Sequence, residues 1–337
     1  MRSLPYVAGA AATVLFAVLP ATPAAADGGG GAGGGGGFTI KDPRIAESSG
    51  LAASRLHPGI YWTHNDSGDG PYVYAVDSRT GQTVATVTMS GVGAPRDVEA
   101  ISIGPDGDIY VGDIGDNLDG SWDHVWIYRF PEPKQLRNET VRATQFTVKY
   151  ADGPRNAEAL MVHPKTGRVY IASKNQTKGG LYVGPEKLST TSTNVFRRID
   201  KVPWVTDGAF SPDGKQLTLR GYLGAETYDW KASGGLGKEH VLNVPFQGQA
   251  ESVTYTLDGK ALMMGSEGAQ SKVLRFPVDT PGTTEDGARA PGRKGSSQRV
   301  AGDSDDSGHS GITWGGAAVL IALFVVFLGV RRRSGKR

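Results

Sequence analysis

One unit recurs through the middle of the chain. An acid opens a short run of small and apolar residues, a tight turn follows, and a second strand-like run comes after it. The acid stands at Glu47 (ESSGL), Glu99 (EAISI), Glu158 (EALMV), Asp207 (DGAFS) and Glu251 (ESVTY), at spacings of 52, 59, 49 and 44 residues. The turns lie at 105–107, 164–167, 212–214 and 257–259, as Pro-Asp-Gly, Pro-Lys-Thr-Gly, Pro-Asp-Gly and Leu-Asp-Gly. Each is chemistry suited to joining two adjacent strands. The alternating runs GIYWTH, YVYAVD, TVATVTM, AISIG, DIYVGD, VWIYRF, TQFTVKY, RVYIAS and QLTLR read as further strands, and no stretch reads as a long helix. Four-strand units at a period of 40–50 residues define an all-β fold, a β-propeller. Five blades are counted, with a sixth hidden in the long second unit as the alternative. The last unit has only three strands after Glu251, so 38–45 is expected to supply its fourth and close the ring against open edges.

The turns also place the acids. Glu99 and Asp113 lie equally far on either side of the turn centred on Asp106, so antiparallel pairing sets them level. The same counting pairs Glu47 with Asp66, Glu158 with Lys174, Asp207 with Arg220, and Glu251 with Ser266 or Glu267. All these positions are turn-distal ends of inner strands, which a propeller gathers at one channel mouth. The expected ligand-binding set is Glu47, His64, Asp66, Glu99, Asp113, Glu158, Lys174, Asp207, Arg220 and Glu251. Carboxylates so crowded raise one another's pKa unless a cation, or Lys174 and Arg220, relieves them. The competing reading has the acids capping backbone NH groups or pairing between blades.

Outside the repeat, the ends are those of an exported, anchored protein. Residues 1–26 have a signal peptide's basic start, apolar core and Ala-Ala-Ala cleavage pattern. Residues 312–330 carry no charge and are long enough to span a bilayer; 331–337 are basic, and Asp303, Asp305 and Asp306 lie on the other flank. The expectation is a single-pass cell-membrane protein with its N-terminal domain extracytoplasmic and its C-terminal tail cytoplasmic. Between the ends lie a Gly-rich linker at 27–37, the domain at 38–278 and a Gly/Ser/Asp-rich stalk at 279–311. The absence of cysteine excludes thiol catalysis and cysteine metal sites, and a net charge of +2 argues against nucleic acid as a partner.

Two loops leave second strands at the acidic mouth, HNDSGD from His64 and GDIGDN from Gly112. Oxygen-rich, Gly-containing loops suit Ca²⁺, with Asp66, Asp69, Asp113 and Asp116 as candidate metal ligands; an Asx-turn role competes with it. These segments, together with DVEAIS and NAEAL, resemble a group of secreted bacterial β-propeller proteins, mostly of unassigned function. More distantly, they are similar to calcium-dependent phytase-like and lactonase-type propellers. That resemblance implies carboxylates at one mouth that bind Ca²⁺ and substrate, here Glu47, Asp66, Glu99, Asp113, Glu158 and Glu251. Lys174 and Arg220 depart from a fully acidic ring.

The sequence contains no GxSxG, HExxH or P-loop, and no GxGxxG between a strand and a helix. The leading expectation is therefore a surface propeller that binds a cation and a polar or anionic ligand. The alternatives are a Ca²⁺-dependent hydrolase of phosphoesters or lactones, and a non-catalytic scaffold for a surface protein.

Overall fold

A computed structural model describes residues 36–66, 68–118 and 120–278. The expected signal peptide, stalk, membrane span and basic tail lie outside these residues. Among the described residues there is no helix, and so none long and apolar enough to cross a membrane.

The strands follow in short succession. β1 (Phe38–Thr39) precedes a first antiparallel run of β2 (Ser48–Ala53), β3 (Ile60–Asn65), β4 (Tyr72–Asp77) and β5 (Gln82–Ser90). The second run is β6 (Val98–Ile103), β7 (Asp108–Asp113), β8 (Val125–Pro131) and, after the short β9 (Glu139–Arg142), β10 (Thr144–Tyr150). The third is β11 (Ala157–Val162), β12 (Val169–Ser173), β13 (Gly180–Val183) and β14 (Asn194–Lys201). The fourth is β15 (Asp207–Phe210), β16 (Gln216–Gly221), β17 (Gly224–Trp230) and β18 (Leu236–Leu242). The fifth is β19 (Ala250–Tyr255), β20 (Ala261–Ser266) and β21 (Lys272–Pro277). Hydrogen bonds gather these strands into four sheets, because β14 pairs in parallel with β10 and joins two runs into one eight-stranded sheet. β9 pairs in parallel with β5 at the edge of the first run.

The five leading strands touch in a closed cycle: β2 on β6, β6 on β11, β11 on β15, β15 on β19, and β19 back on β2. The cores follow the same cycle. Trp62 and Val87 of the first run pack with Ile101 and Tyr128 of the second; Ile127 and Phe146 pack with Leu160 and Phe196. Met161 and Tyr170 meet Leu219 and Tyr228, Ala225 meets Val253 and Met264, and Met263 and Val273 meet Leu51 and Tyr61. A sheet that is apolar on both faces must be covered on both, and a ring satisfies every sheet at once. The fold is β-propeller-like.

The ring closes where β1 pairs with β21, Phe38 opposite Val273 and Thr39 opposite Lys272. The Ile40 NH extends the ladder to Ser271 O at 2.9 Å. Closure is thus shorter than the 38–45 strand expected from the sequence. Gly81 receives the closing segment: its φ is +73°, and an added Cβ would lie 1.9 Å from the Thr39 carbonyl oxygen.

Candidate functional site

The inner strands carry a local irregularity at their turn-distal ends. Register shifts fall between Ser48 and Gly50, Val98 and Ala100, Ala157 and Ala159, and Ala250 and Ser252. The residues inside these bulges are Ser49, Glu99, Glu158 and Glu251. A bulge inserts one residue and re-aims its side chain, and here three of the four inserted residues are acids. The inner pair of the fourth run has none, and Asp207 pairs directly with Arg220. In the first run the bulge position belongs to Ser49, whose hydroxyl donates to Glu99 Oε2 at 3.2 Å. Glu47 stands two residues earlier, where the second run has Asp97. The repeat read from the sequence was therefore two residues out of step in its first unit.

The bulged acids share one electrostatic neighbourhood. Oxygens of Asp66, Asp97 and Glu99 all lie within 4.8 Å of one another. Asp97 and Glu99 are buried and Asp66 is half-buried. Burial, then the Asp66 carboxylate, pushes the Asp97 pKa up to about 8. Glu99 is raised well above its ordinary value, first by burial and then by Asp66, Glu158 and Asp97. Gly115 leaves the space above this pair open; an added Cβ would lie 2.5 Å from Asp97 Oδ2 and 2.7 Å from Glu99 Oε1. The Asn117 amide donates to Asp97 Oδ2 at 3.1 Å.

Lys174 answers part of this charge. It forms an ion pair with Glu158 and donates to the Tyr222 hydroxyl at 2.8 Å. Burial pulls its pKa down, but Glu158, Glu251, Tyr222 and Glu99 outweigh burial and hold it well above the usual lysine range. Glu158 is itself raised by burial, against the pull of Lys174. Its Oε2 is buried with no hydrogen-bond partner. Glu251 is raised by burial, against Lys174 and Tyr222. Burial followed by Glu251 and Asp66 pushes Glu267 up to about 7. Arg220 is 1% exposed. It donates to Gln247 Oε1 at 2.6 Å, while its Nε and Nη1 have no partner. Burial brings its pKa down to about 10, against Asp207 and Glu251.

Other expected positions are committed to the backbone. Asp113 accepts from the Arg96 NH at 3.1 Å, the Asp97 NH at 2.9 Å and the Tyr128 hydroxyl at 2.6 Å. Asn65 does the equivalent work in the first run, accepting from the Glu47 NH at 3.0 Å. Asp69 accepts from Asn65, the Gly70 NH and the Tyr74 hydroxyl, and Asp116 from Ser121 and the Trp122 NH. Asp207 takes the Val253 and Gly208 NH groups, both at 2.7 Å, tying the fourth run to the fifth. His64 directs Nδ1 at Asn65 O, 2.9 Å away, and buries Nε2 without a partner. Of the candidate metal ligands Asp66, Asp69, Asp113 and Asp116, only Asp66 falls in the one group of three or more metal-competent side chains among the described residues.

Asp97 was legible in principle: it lies two residues before Glu99, and alternate strand residues share a face. Tyr222 and Gln247 lie in connections with no periodicity to mark them.

No protein-family model and no curated protein matches the chain. Among solved structures, it is similar to a PQQ-bound aldose sugar dehydrogenase from Streptomyces coelicolor, at 12% identity over 72% of this chain and 96% of that one, with a TM-score of 0.43. A gluconolactonase from Xanthomonas campestris matches at 14% identity over 71% and 89%, TM-score 0.43. An auxiliary nutrient binding protein from Bacteroides thetaiotaomicron matches at 10% identity over 69% and 70%, TM-score 0.43.

Proposed function

We propose that the acidic end of the channel binds a hard divalent cation, Ca²⁺ by preference, and with it a small polar or anionic ligand. Asp66, Asp97 and Glu99 would hold the ion, with Glu158 beside them, and Lys174 and Arg220 would receive the ligand's anionic groups. The observation that carries this reading is the convergence of three carboxylates within 4.8 Å beside a buried Glu158 oxygen that has no partner. A donor set of carboxylate oxygens, without His or Cys, suits Ca²⁺ better than zinc or copper. Asp69, Asp113 and Asp116 shape the loops around this group.

Each antiparallel run counts as one blade in this reading, giving five, with β1 completing the last. The charge asymmetry around 312–330 supports display of the domain outside a cell membrane. The propeller then acts as a surface binder. The test is metal analysis of the purified protein after dialysis against Ca²⁺, with phosphoesterase and lactonase substrates assayed alongside. One retained Ca²⁺ per chain, lost in the Asp97→Asn, Glu99→Gln double variant and accompanied by no turnover, is the expected result. Turnover that vanishes in the same variant would make the protein a Ca²⁺-dependent hydrolase. Absence of stoichiometric metal would leave a non-catalytic scaffold as the function.

A further inference from the structure

The outer strand of the fourth run keeps an open edge. Among the described residues, β5 is covered by β9, β10 and β14 pair with each other, and β21 pairs with β1. β18 pairs with β17 alone and ends its sheet. Its free backbone groups follow from the alternation of an antiparallel ladder. The Trp230 NH bonds Lys215 O, so Trp230, Tyr228 and Glu226 turn their backbone groups to β16. Thr227 and Ala225 then bond β18, at His240 and Leu242. The NH and C=O groups of Glu239 and Val241 are left on the open side. A register shift between Tyr228 and Trp230 distorts the start of β18, as edge protection does, but 239–242 are in regular register. Glu226 lies opposite Val241 and Tyr228 opposite Glu239, so these four side chains share one face. Val241 is 75% exposed, and Leu223 (85%) and Phe246 (70%) lie in the connections at the same end of the run. Burial, then Glu239, raises the Glu226 pKa, and no ion pair reaches either carboxylate among the described residues.

We propose that β18 is a docking edge for an extended peptide of a partner protein, added as an antiparallel strand with an apolar residue opposite Val241 and a Lys or Arg opposite Glu239. An unpaired edge specifies main chain, because only another strand meets its NH and C=O groups in register. The face specifies side chains. Partner residues opposite 239 and 241 project onto the face of Glu226 and Glu239, where one cation answers two carboxylates. The motif therefore reads apolar, any residue, basic, and Leu223 and Phe246 extend the exposed apolar surface at its apolar end. A second copy of the chain fits this edge poorly. Two-fold self-pairing centred on Glu239 opposes Glu239 to itself, and centred on His240 it opposes Glu239 to Val241, so neither register brings a cation to the carboxylates.

The test is fluorescence anisotropy with the full chain in lipid nanodiscs and empty discs as blank. The probe is the peptide fluorescein-Thr-Thr-Val-Thr-Lys-Thr-amide, which should bind saturably. Replacing its Lys by Glu should weaken binding at least about three-fold, and Glu239→Lys should reverse that order. N-methylation of the peptide's Val and Lys should abolish binding, since both NH groups face β18, whereas N-methylation of the Thr between them should not. Val241→Pro removes an NH that lies outside the β17 ladder, so it should keep the fold and lose every peptide. Should it not fold, the two N-methylated peptides on the parent carry the same test. Absence of saturable binding in the parent would overturn the proposal. So would binding indifferent to which NH is methylated, or an unchanged charge preference in folded Glu239→Lys. A parent dimer in sedimentation that Val241→Pro dissociates would give the edge to a second copy and overturn it equally.

Discussion

Glu132 shows how much one residue holds between neighbouring runs. Its carboxylate accepts from the Ser54 hydroxyl at 2.5 Å, the Trp62 indole NH at 2.7 Å and the NH groups of Arg55 and Leu56 at 3.2 Å. Both Glu132 and Trp62 are buried, so Glu132→Ala strands several donors away from water. We expect a loss of about 3 kcal/mol or more in unfolding free energy, measured by denaturant titration. Glu132→Gln should lose less, since it keeps one accepting oxygen. His64 sets a second expectation. Burial holds its pKa down to about 4, against an ordinary 6.5. A histidine depressed in the folded state gives stability that is present above pH 6.5 and is lost as pH falls through 4. That difference is worth roughly 3 kcal/mol. Stability measured at pH 7 and pH 4 should therefore differ less in His64→Gln than in the parent, and an unchanged acid limb would refute this.

At the scale of elements, closure depends on a few contacts. Ile40 is 1% exposed and packs between the closing strand and the first run. Ile40→Ala should cost about 2–4 kcal/mol by cavity formation, read as a lower thermal midpoint of the whole cooperative transition. A loss confined to local fraying would contradict ring closure. Elements were legible in the sequence in proportion to their pattern. The β6–β7 hairpin turns on Pro-Asp-Gly, the β12 hairpin on Pro-Lys-Thr-Gly, and β3 and β4 lie in the runs GIYWTH and YVYAVD, so β3, β4, β6, β7 and β12 could be read directly. The outer strands β14 and β18 are mostly exposed and carry little alternation. The parallel joins of β5 to β9 and β10 to β14 are long-range and leave no local signal. The bulges mattered most and were least legible. One inserted residue changes neither composition nor turn chemistry, yet it decides which of Glu47, Ser49 and Asp97 occupies which place. Counting from the turns could not separate Asp113, which holds backbone, from Asp97, which joins the cluster.

Among the described residues, buried carboxylates gather at one end of the channel, where they outnumber Lys174 and Arg220. A carboxyl raised in the folded state gives stability that is complete below its unfolded pKa and is lost as pH rises through the folded value. For Asp97 and Glu267 that window runs from about pH 4 to about 8 and about 7 respectively. Metal-free protein should therefore lose stability across this interval, and saturating Ca²⁺ should flatten the loss, because the ion replaces the protons that the cluster otherwise retains. At the same scale, protease applied to intact cells should remove the domain and leave a short membrane fragment; a protected domain would reverse the orientation read from the charges around 312–330. The most direct test of the central claim is the thermal midpoint of the metal-free protein against free Ca²⁺ at pH 7.5. Binding restricted to the folded state adds about 2.7 kcal/mol at a hundred-fold excess over Kd, a rise of about 5–10 °C for a domain of this size. The account predicts that rise in the parent and its loss in the folded Asp97→Asn, Glu99→Gln variant. A midpoint indifferent to Ca²⁺ in the parent, or an equal rise in the variant, would contradict it.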